Sequence, residues 1–245
     1  MKRTLEWQIA TVMSIRQETA NVKTLTLALP NRMRHRPGQH YDIRLTAEDG
    51  YSAQRSYSIG SEPERTGEVD ITVERIRDGE VSPFLDDVVV VGDRFEVRGP
   101  IGGYFVWETA DGGPLLLVAG GSGIVPLMSI VRHRAAAGAA IPARLLYSSR
   151  SFDDIIYRDE LDALAKRDGL EVFHTLTRAQ PDGWKGYARR IDGPMIAEVN
   201  KPFGANAQVF ICGPTALVET AADAAEMAGI PAERIKTERF GPTGT

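Results

Sequence analysis

The amino-acid sequence predicts a two-part fold. An N-terminal antiparallel six-stranded β-barrel over residues 1–109 is followed by an α/β parallel-sheet unit over residues 114–245. Three observations predict this. Short alternating apolar segments separated by turn residues fill the first hundred positions, as in a small barrel. A continuous apolar run at 114–119 then opens an alternation of strands with helices, which implies a parallel sheet covered on both faces. A small polar joint, Thr109-Ala110-Asp111-Gly112-Gly113, lies between the two patterns. At 245 residues the chain is near the size at which a single core stops growing.

In the first half, residues 22–29 nearly alternate, as do 41–45 and 69–74, and 95–97 continue the pattern. Arg55-Ser56-Tyr57-Ser58 stands on a further strand. Turn residues separate these segments at Pro30-Asn31, Pro37-Gly38, Asp49-Gly50, Asp78-Gly79 and Gly92-Asp93. Residues 79–85 read as a short helix start, with Ser82 as N-cap and Pro83 in the first position. No longer helical period occurs before about residue 125. In the second half, strands are predicted at 114–119, 144–147, 170–176, 208–212 and 234–238. Helices are predicted after the glycine loop at 120–126, at 153–167, near 194–199 and at 215–227.

Composition narrows the function. Hydrophobic content of 42% and charged content of 25% are those of an ordinary globular protein. A net charge of −4 argues against a general nucleic-acid binder. No apolar run approaches a membrane span, and no apolar signal core follows the N-terminus, so a cytoplasmic, membrane-free protein is expected. The one cysteine, Cys212, excludes an internal disulfide and a cysteine-ligated cluster within this chain. The four histidines show no metal-binding spacing.

Four stretches carry chemistry. Arg55 offers a forked donor suited to phosphate and Tyr57 a flat face with a polar tip, a pair that suits a flavin nucleotide but also occurs as ordinary surface. Gly120-Gly121-Ser122-Gly123-Ile124-Val125-Pro126 joins a buried strand to a helix, where glycines let a pyrophosphate approach and the helix N-terminus favours its charge. Pro126 departs from G-x-G-x-x-G, Ile124 excludes the G-x-S-x-G serine elbow, and the lysine of a P-loop is absent. A plain tight turn is the alternative. Cys212-Gly213-Pro214 ends the fourth strand of the sheet, the side where such sheets bind ligands; the cysteine is either a functional group or a small buried hydrophobe. The segment from Gly79 through Val81 to Ser82 is either an anion site or simply a capped helix.

Taken together and in order, these motifs resemble the ferredoxin–NADP reductase family of FAD-dependent oxidoreductases over nearly the whole chain. Arg55, Tyr57 and Ser58 match its R-x-Y-S, preceded by Pro37-Gly38-Gln39. Gly79 and Ser82 match its G-x-x-S, and Gly99-Pro100 with Gly103-Tyr104-Phe105 its G-P-x-G-x-F. The loop at 120–126 is similar to G-G-T-G-I-A-P, with Ser122 for Thr and Val125 for Ala. Cys212-Gly213-Pro214 matches C-G-P, and Glu238-Arg239-Phe240 the terminal E-x-aromatic. The resemblance implies a reductase module without its own iron–sulfur domain. FAD would be held by Arg55, Ser56, Tyr57, Ser58, Val73, Gly79, Val81 and Ser82. NADP, or alternatively NAD, would be held by Gly120, Gly121, Ser122, Gly123, Pro126, Arg150, Thr177, Arg178, Arg190, Cys212, Gly213 and Pro214. Ser58, Cys212, Glu238 and Phe240 would form the catalytic set, with Ser58 near flavin N5, Cys212 beside the nicotinamide, Glu238 handling charge and Phe240 over the flavin face.

Arginines at 150, 178, 189 and 190, near the ends of the second and third strands of the sheet, favour NADP over NAD through its 2′-phosphate. The expected activity passes hydride between NADPH and FAD and electrons singly to a ferredoxin or flavodoxin. One alternative is an NADH-linked reductase subunit of an oxygenase or molybdoenzyme system; another is a non-catalytic flavin- or nucleotide-binding regulator. The basic run Arg32–Arg36 is either a docking patch for an acidic carrier or a solvated loop.

Overall fold

A computed structural model describes residues 5–240. Six antiparallel strands form the first sheet: β1 (Gln8–Thr19), β2 (Val22–Ala28), β3 (His40–Thr46), β4 (Ser52–Ser58), β5 (Glu68–Glu74) and β6 (Arg94–Ile101), in the spatial order β4-β3-β6-β1-β2-β5. An antiparallel bridge between Ile59 and Ile71 brings the two ends of the sheet together and closes the barrel. Alternate residues point inward and fill it: Ala10, Val12, Leu25, Leu27, Tyr41, Ile43, Ile71 and Val97 are all buried.

The first strand has no clear period because its pairing with β2 shifts register twice, between Val12 and Ser14 and between Gln17 and Thr19. Each shift moves the following side chains to the opposite face, so exposed Met13 and Ser14 stand side by side. The helix start expected within 79–85 is present, one residue beyond the expected first position, Pro83. Its wide turn runs Phe84–Val88, and Ser82 caps nothing; its hydroxyl accepts the Ile76 N–H at 3.1 Å.

The second sheet is parallel. Strands β7 (Leu115–Gly120), β8 (Ala143–Ser149), β9 (Leu170–Leu176), β10 (Gln208–Pro214) and β11 (Ile235–Phe240) are ordered β11-β10-β7-β8-β9. The central strand β7 is buried throughout, and its alternation divides the core. Leu115, Leu117 and Ala119 face helices α1 (Ile124–Ala136) and α2 (Arg158–Arg167). Leu116 and Val118 face α3 (Gly193–Asn200) and α4 (Thr215–Met227). Asp192 caps α3 by accepting the Met195 N–H at 2.9 Å.

Helix α2 begins at Arg158, not at residue 153. Tyr157 sits in the left-handed region (φ 58°) and stops the helix from extending backward. Its buried ring lies under the Arg132 guanidinium, 4.7 Å away, and its hydroxyl bonds Thr72 of the barrel. Other polar contacts cross the same seam. Arg132 donates to the Gly60 carbonyl at 2.6 Å and Ser129 to the Ser61 carbonyl at 2.7 Å, while within the second half Arg132 is held by both oxygens of Glu160. Farther along, Tyr104 donates to the Ile235 carbonyl and Lys236 to that of Val106, tying β11 to the barrel side.

Candidate active site

The C-terminal ends of the parallel strands open into a cleft of about 460 Å³ that reaches the barrel. Its walls bring together Gly120 and Gly121, Arg150, Thr177, Arg190, Pro214 and Phe240 from the sequence-predicted set. They add Glu74 from the barrel and Ser148, Ser149 and Leu217 from the sheet side. The strand order explains the arrangement. Parallel β11, β10, β7, β8 and β9 end on one side, so the residues just beyond each strand line one groove.

Two glycines of the loop do different work. At Gly123 a Cβ would lie 2.1 Å from the Cys212 carbonyl oxygen, so the missing side chain is what lets the loop press against the end of β10. Gly121 has φ +54° and open space before it, so it forms the cleft floor. Pro126 is buried in the first turn of α1, where a missing N–H costs nothing. Ser122 donates to Glu74 Oε2 at 2.6 Å, bridging the loop to the end of β5.

At the other end of the cleft, Arg150 and Arg190 are exposed, and Thr177 donates to the Ser149 carbonyl. Arg178 is also exposed, next to Arg150 through its backbone N–H, but is not part of the cleft wall. Arg189 is committed to Asp192 at 2.6 Å, which removes it from the set of available cations.

Cys212 and Glu238 are register partners on β10 and β11. Cys212 is buried, and burial followed by the nearby Glu238 charge raises its thiol well above the ordinary range, so it stays a neutral SH. Burial raises the Glu238 carboxyl to about 7, and its Oε2 has no hydrogen-bond partner among the described residues. A buried acceptor without a donor stores free energy that an incoming donor can release. The sign of the linkage is fixed: a carboxyl raised on folding favours the native state below its unfolded value and loses that advantage as pH rises through about 7. The Glu238→Gln variant is therefore expected to gain about 3 kcal/mol relative to wild type between pH 4 and pH 8. Parallel unfolding curves for the two proteins across that range would contradict this.

On the barrel side, Tyr57 is half-buried, and burial raises its hydroxyl to about 12, so it remains protonated. Ser58 follows it opposite His40. Arg55 is exposed and pairs with Glu80 at 3.0 Å, and Glu80 also accepts the Tyr51 hydroxyl at 2.5 Å. Ser56 donates to Asp42, which also receives Arg98. Val73 and Val81 turn their side chains into the barrel core, so only their backbone is available to a ligand. The basic run is spent locally. Arg34 pairs with Glu64 and Glu108, Arg36 with Glu108, Arg32 bonds two carbonyls, and His35 is buried. The two glutamates offset the charges of Arg34 and Arg36, whereas hydrogen bonds to carbonyls leave the charge of Arg32 in place. Glu74 was not singled out from sequence, where it reads only as the polar end of an alternating strand.

The residues present fit both expected groups. The exposed Arg55 guanidinium beside the half-buried Tyr57 suits a flavin nucleotide. The open floor at Gly121 and the exposed Arg150 and Arg190 suit a dinucleotide lying along the cleft.

Residues 9–106 match an oxidoreductase FAD-binding domain and residues 117–223 an oxidoreductase NAD-binding domain. The chain is 35% identical over 248 residues to the ferredoxin reductase component of 3-ketosteroid-9-alpha-monooxygenase from Mycobacterium tuberculosis; the match covers 96% of this chain and 65% of that protein. It is 32% identical to the glycine betaine monooxygenase reductase subunit of Pseudomonas aeruginosa, covering 93% of this chain and 62% of that one. The chain thus spans just under two thirds of the length of these relatives. In fold it is similar to the ferredoxin NADP+ reductase of Neisseria gonorrhoeae, with a TM-score of 0.80, 19% identity and coverage of 95% and 98%. The FAD/NAD-binding domain of a Vibrio cholerae nitric oxide dioxygenase gives a TM-score of 0.82 at 24% identity, covering 96% and 99%.

Fold and paired domains define the class: oxidoreductases that bind FAD in a barrel and a nicotinamide dinucleotide beside it. Within that class, this chain belongs to the ferredoxin–NADP reductase family of FAD-dependent oxidoreductases.

Proposed function

We propose that the chain is a cytoplasmic reductase that accepts hydride from NADPH and passes electrons singly to a separate ferredoxin- or flavodoxin-type carrier. The observation that carries this reading is the single cleft in which Glu74 of the barrel meets the glycine loop, Arg150, Arg190 and Phe240. Bound FAD would supply the exchange between two-electron and one-electron chemistry. The rest is the work of this chain's residues. Arg55 would hold the flavin pyrophosphate, and Tyr57 and Ser58 would set the position of its ring. Gly79 and Ser82 would offer the neighbouring backbone. Cys212 supplies a small uncharged surface for a ring arriving at β10. Glu238, raised to about 7, can hold or release a proton at its carboxyl near neutrality. Phe240 would cover the flavin face until a nicotinamide displaces it.

Arg150 and Arg190 support NADPH. A charge-assisted contact to the 2′-phosphate is worth ~1.5–3 kcal/mol, or at least about tenfold in affinity. Anaerobic titration of the FAD-loaded protein should bleach the flavin absorbance at about tenfold lower NADPH than NADH. Absence of bleaching with both would reject the reading and favour a non-catalytic regulator. A preference for NADH would favour a second reading, a reductase subunit serving an oxygenase. The names of the Mycobacterium tuberculosis and Pseudomonas aeruginosa relatives lend that reading support.

A further inference from the structure

Charge is sorted along the cleft. Arg150 and Arg190 stand beyond β8 and β9, while the carboxylate of Glu74 stands over the glycine loop after β7. Ser122 donates to one oxygen of Glu74 and so fixes the carboxylate at the cleft wall. A dinucleotide carries phosphates in its middle and, for NADP, at the adenosine end. A carboxylate within a few ångströms of a phosphate is repelled, and a partly desolvated site makes the repulsion larger. Glu74 is acceptor-only when ionised, so it has to meet a part of the ligand that offers donors. Between the pyrophosphate and the nicotinamide ring, that part is the ribose with its two hydroxyls.

We propose that Glu74 is a specificity-determining residue that reads the nicotinamide half of the dinucleotide, its carboxylate accepting hydrogen bonds from the hydroxyls of the nicotinamide-side ribose. The inference rests on the dinucleotide-binding reading above. Arginines at one end and a carboxylate at the other give the ligand one direction in the cleft, with its adenosine phosphate away from the barrel. Because Glu74 belongs to the barrel and Ser122 to the sheet, ligand that satisfies Glu74 is held by both halves at once.

The test uses the FAD-loaded chain, Glu74→Ala and Glu74→Gln, titrated calorimetrically with NADP+ and NAD+ and, separately, with 2′,5′-ADP and 5′-ADP, which lack the nicotinamide riboside. Glu74→Ala is expected to weaken the dinucleotides about tenfold and to leave the fragments unchanged. Glu74→Gln keeps an acceptor oxygen and should lose less. Unchanged fragment binding doubles as the check that the variant is folded. Equal or tighter dinucleotide binding by Glu74→Ala would overturn the proposal, because it would mean that Glu74 faces a phosphate or nothing. Equal weakening of dinucleotides and fragments in both variants would overturn it too. A wild-type protein that binds none of the four ligands would instead reject the dinucleotide-binding reading itself.

Discussion

Gly123→Ala is expected to lower stability by about 3 kcal/mol or more and the thermal midpoint by ~6–12 °C. The added Cβ would sit 2.1 Å from the Cys212 carbonyl oxygen, 2.5 Å from its carbon and 2.8 Å from the Gly213 nitrogen. All three are backbone atoms at the buried end of β10, so no side chain can swing aside to make room. The loop and the strand end have to separate, which also shifts Ser122 away from Glu74 and Cys212 away from Glu238. Dinucleotide affinity should fall with stability. Gly103→Ala is the control, because a Cβ there meets nothing within 4 Å. Calorimetric scans of the two variants decide the matter: similar midpoints would mean that the loop is not pressed on β10.

The second large effect is expected at the seam between the halves. The Arg132 side chain is only 9% exposed, and it serves the Gly60 carbonyl, both Glu160 oxygens and the face of Tyr157. Arg132→Met leaves a buried carbonyl without its donor and a carboxylate without its counter-charge, at an expected cost of about 2–4 kcal/mol. The partial exposure of Glu160 keeps the figure below that for a fully buried pair. Replacing both residues, Arg132→Met with Glu160→Met, should restore part of the loss, because the stranded charge is gone. Chemical denaturation of the three proteins measures this. A single variant as stable as wild type would show that the seam does not depend on the guanidinium.

The residues that were hard to read from sequence share a cause. Residues 22–29, 41–45 and 69–74 carry a near-alternation of their own, and the apolar run at β7 announced a strand buried on both faces. The pattern of β1 was erased by two register shifts that depend on β2, a partner met only in the folded chain. The start of α2 was hidden because Tyr157 takes a left-handed backbone in favour of contacts with Thr72 and Arg132, which lie far away in sequence. Ser82 has the right type for a cap, but the Ile76 N–H claims its hydroxyl. The glycine loop and Cys212-Gly213-Pro214 were legible because their chemistry is local and their spacing dense. Glu74 was not, because its role depends on Ser122, 48 residues away. The pairing of the arginine run was hidden for the same reason: Glu64 and Glu108, which hold Arg34 and Arg36, come from other loops.

The lone cysteine has a practical bearing. Cys212 is 97% enclosed, and its thiol is held in the unreactive neutral form. A maleimide dye offered to the native protein should therefore find no quick target. A cysteine placed on an outer strand or helix would take the label alone, so distance rulers between barrel and sheet could be installed without first deleting a native thiol.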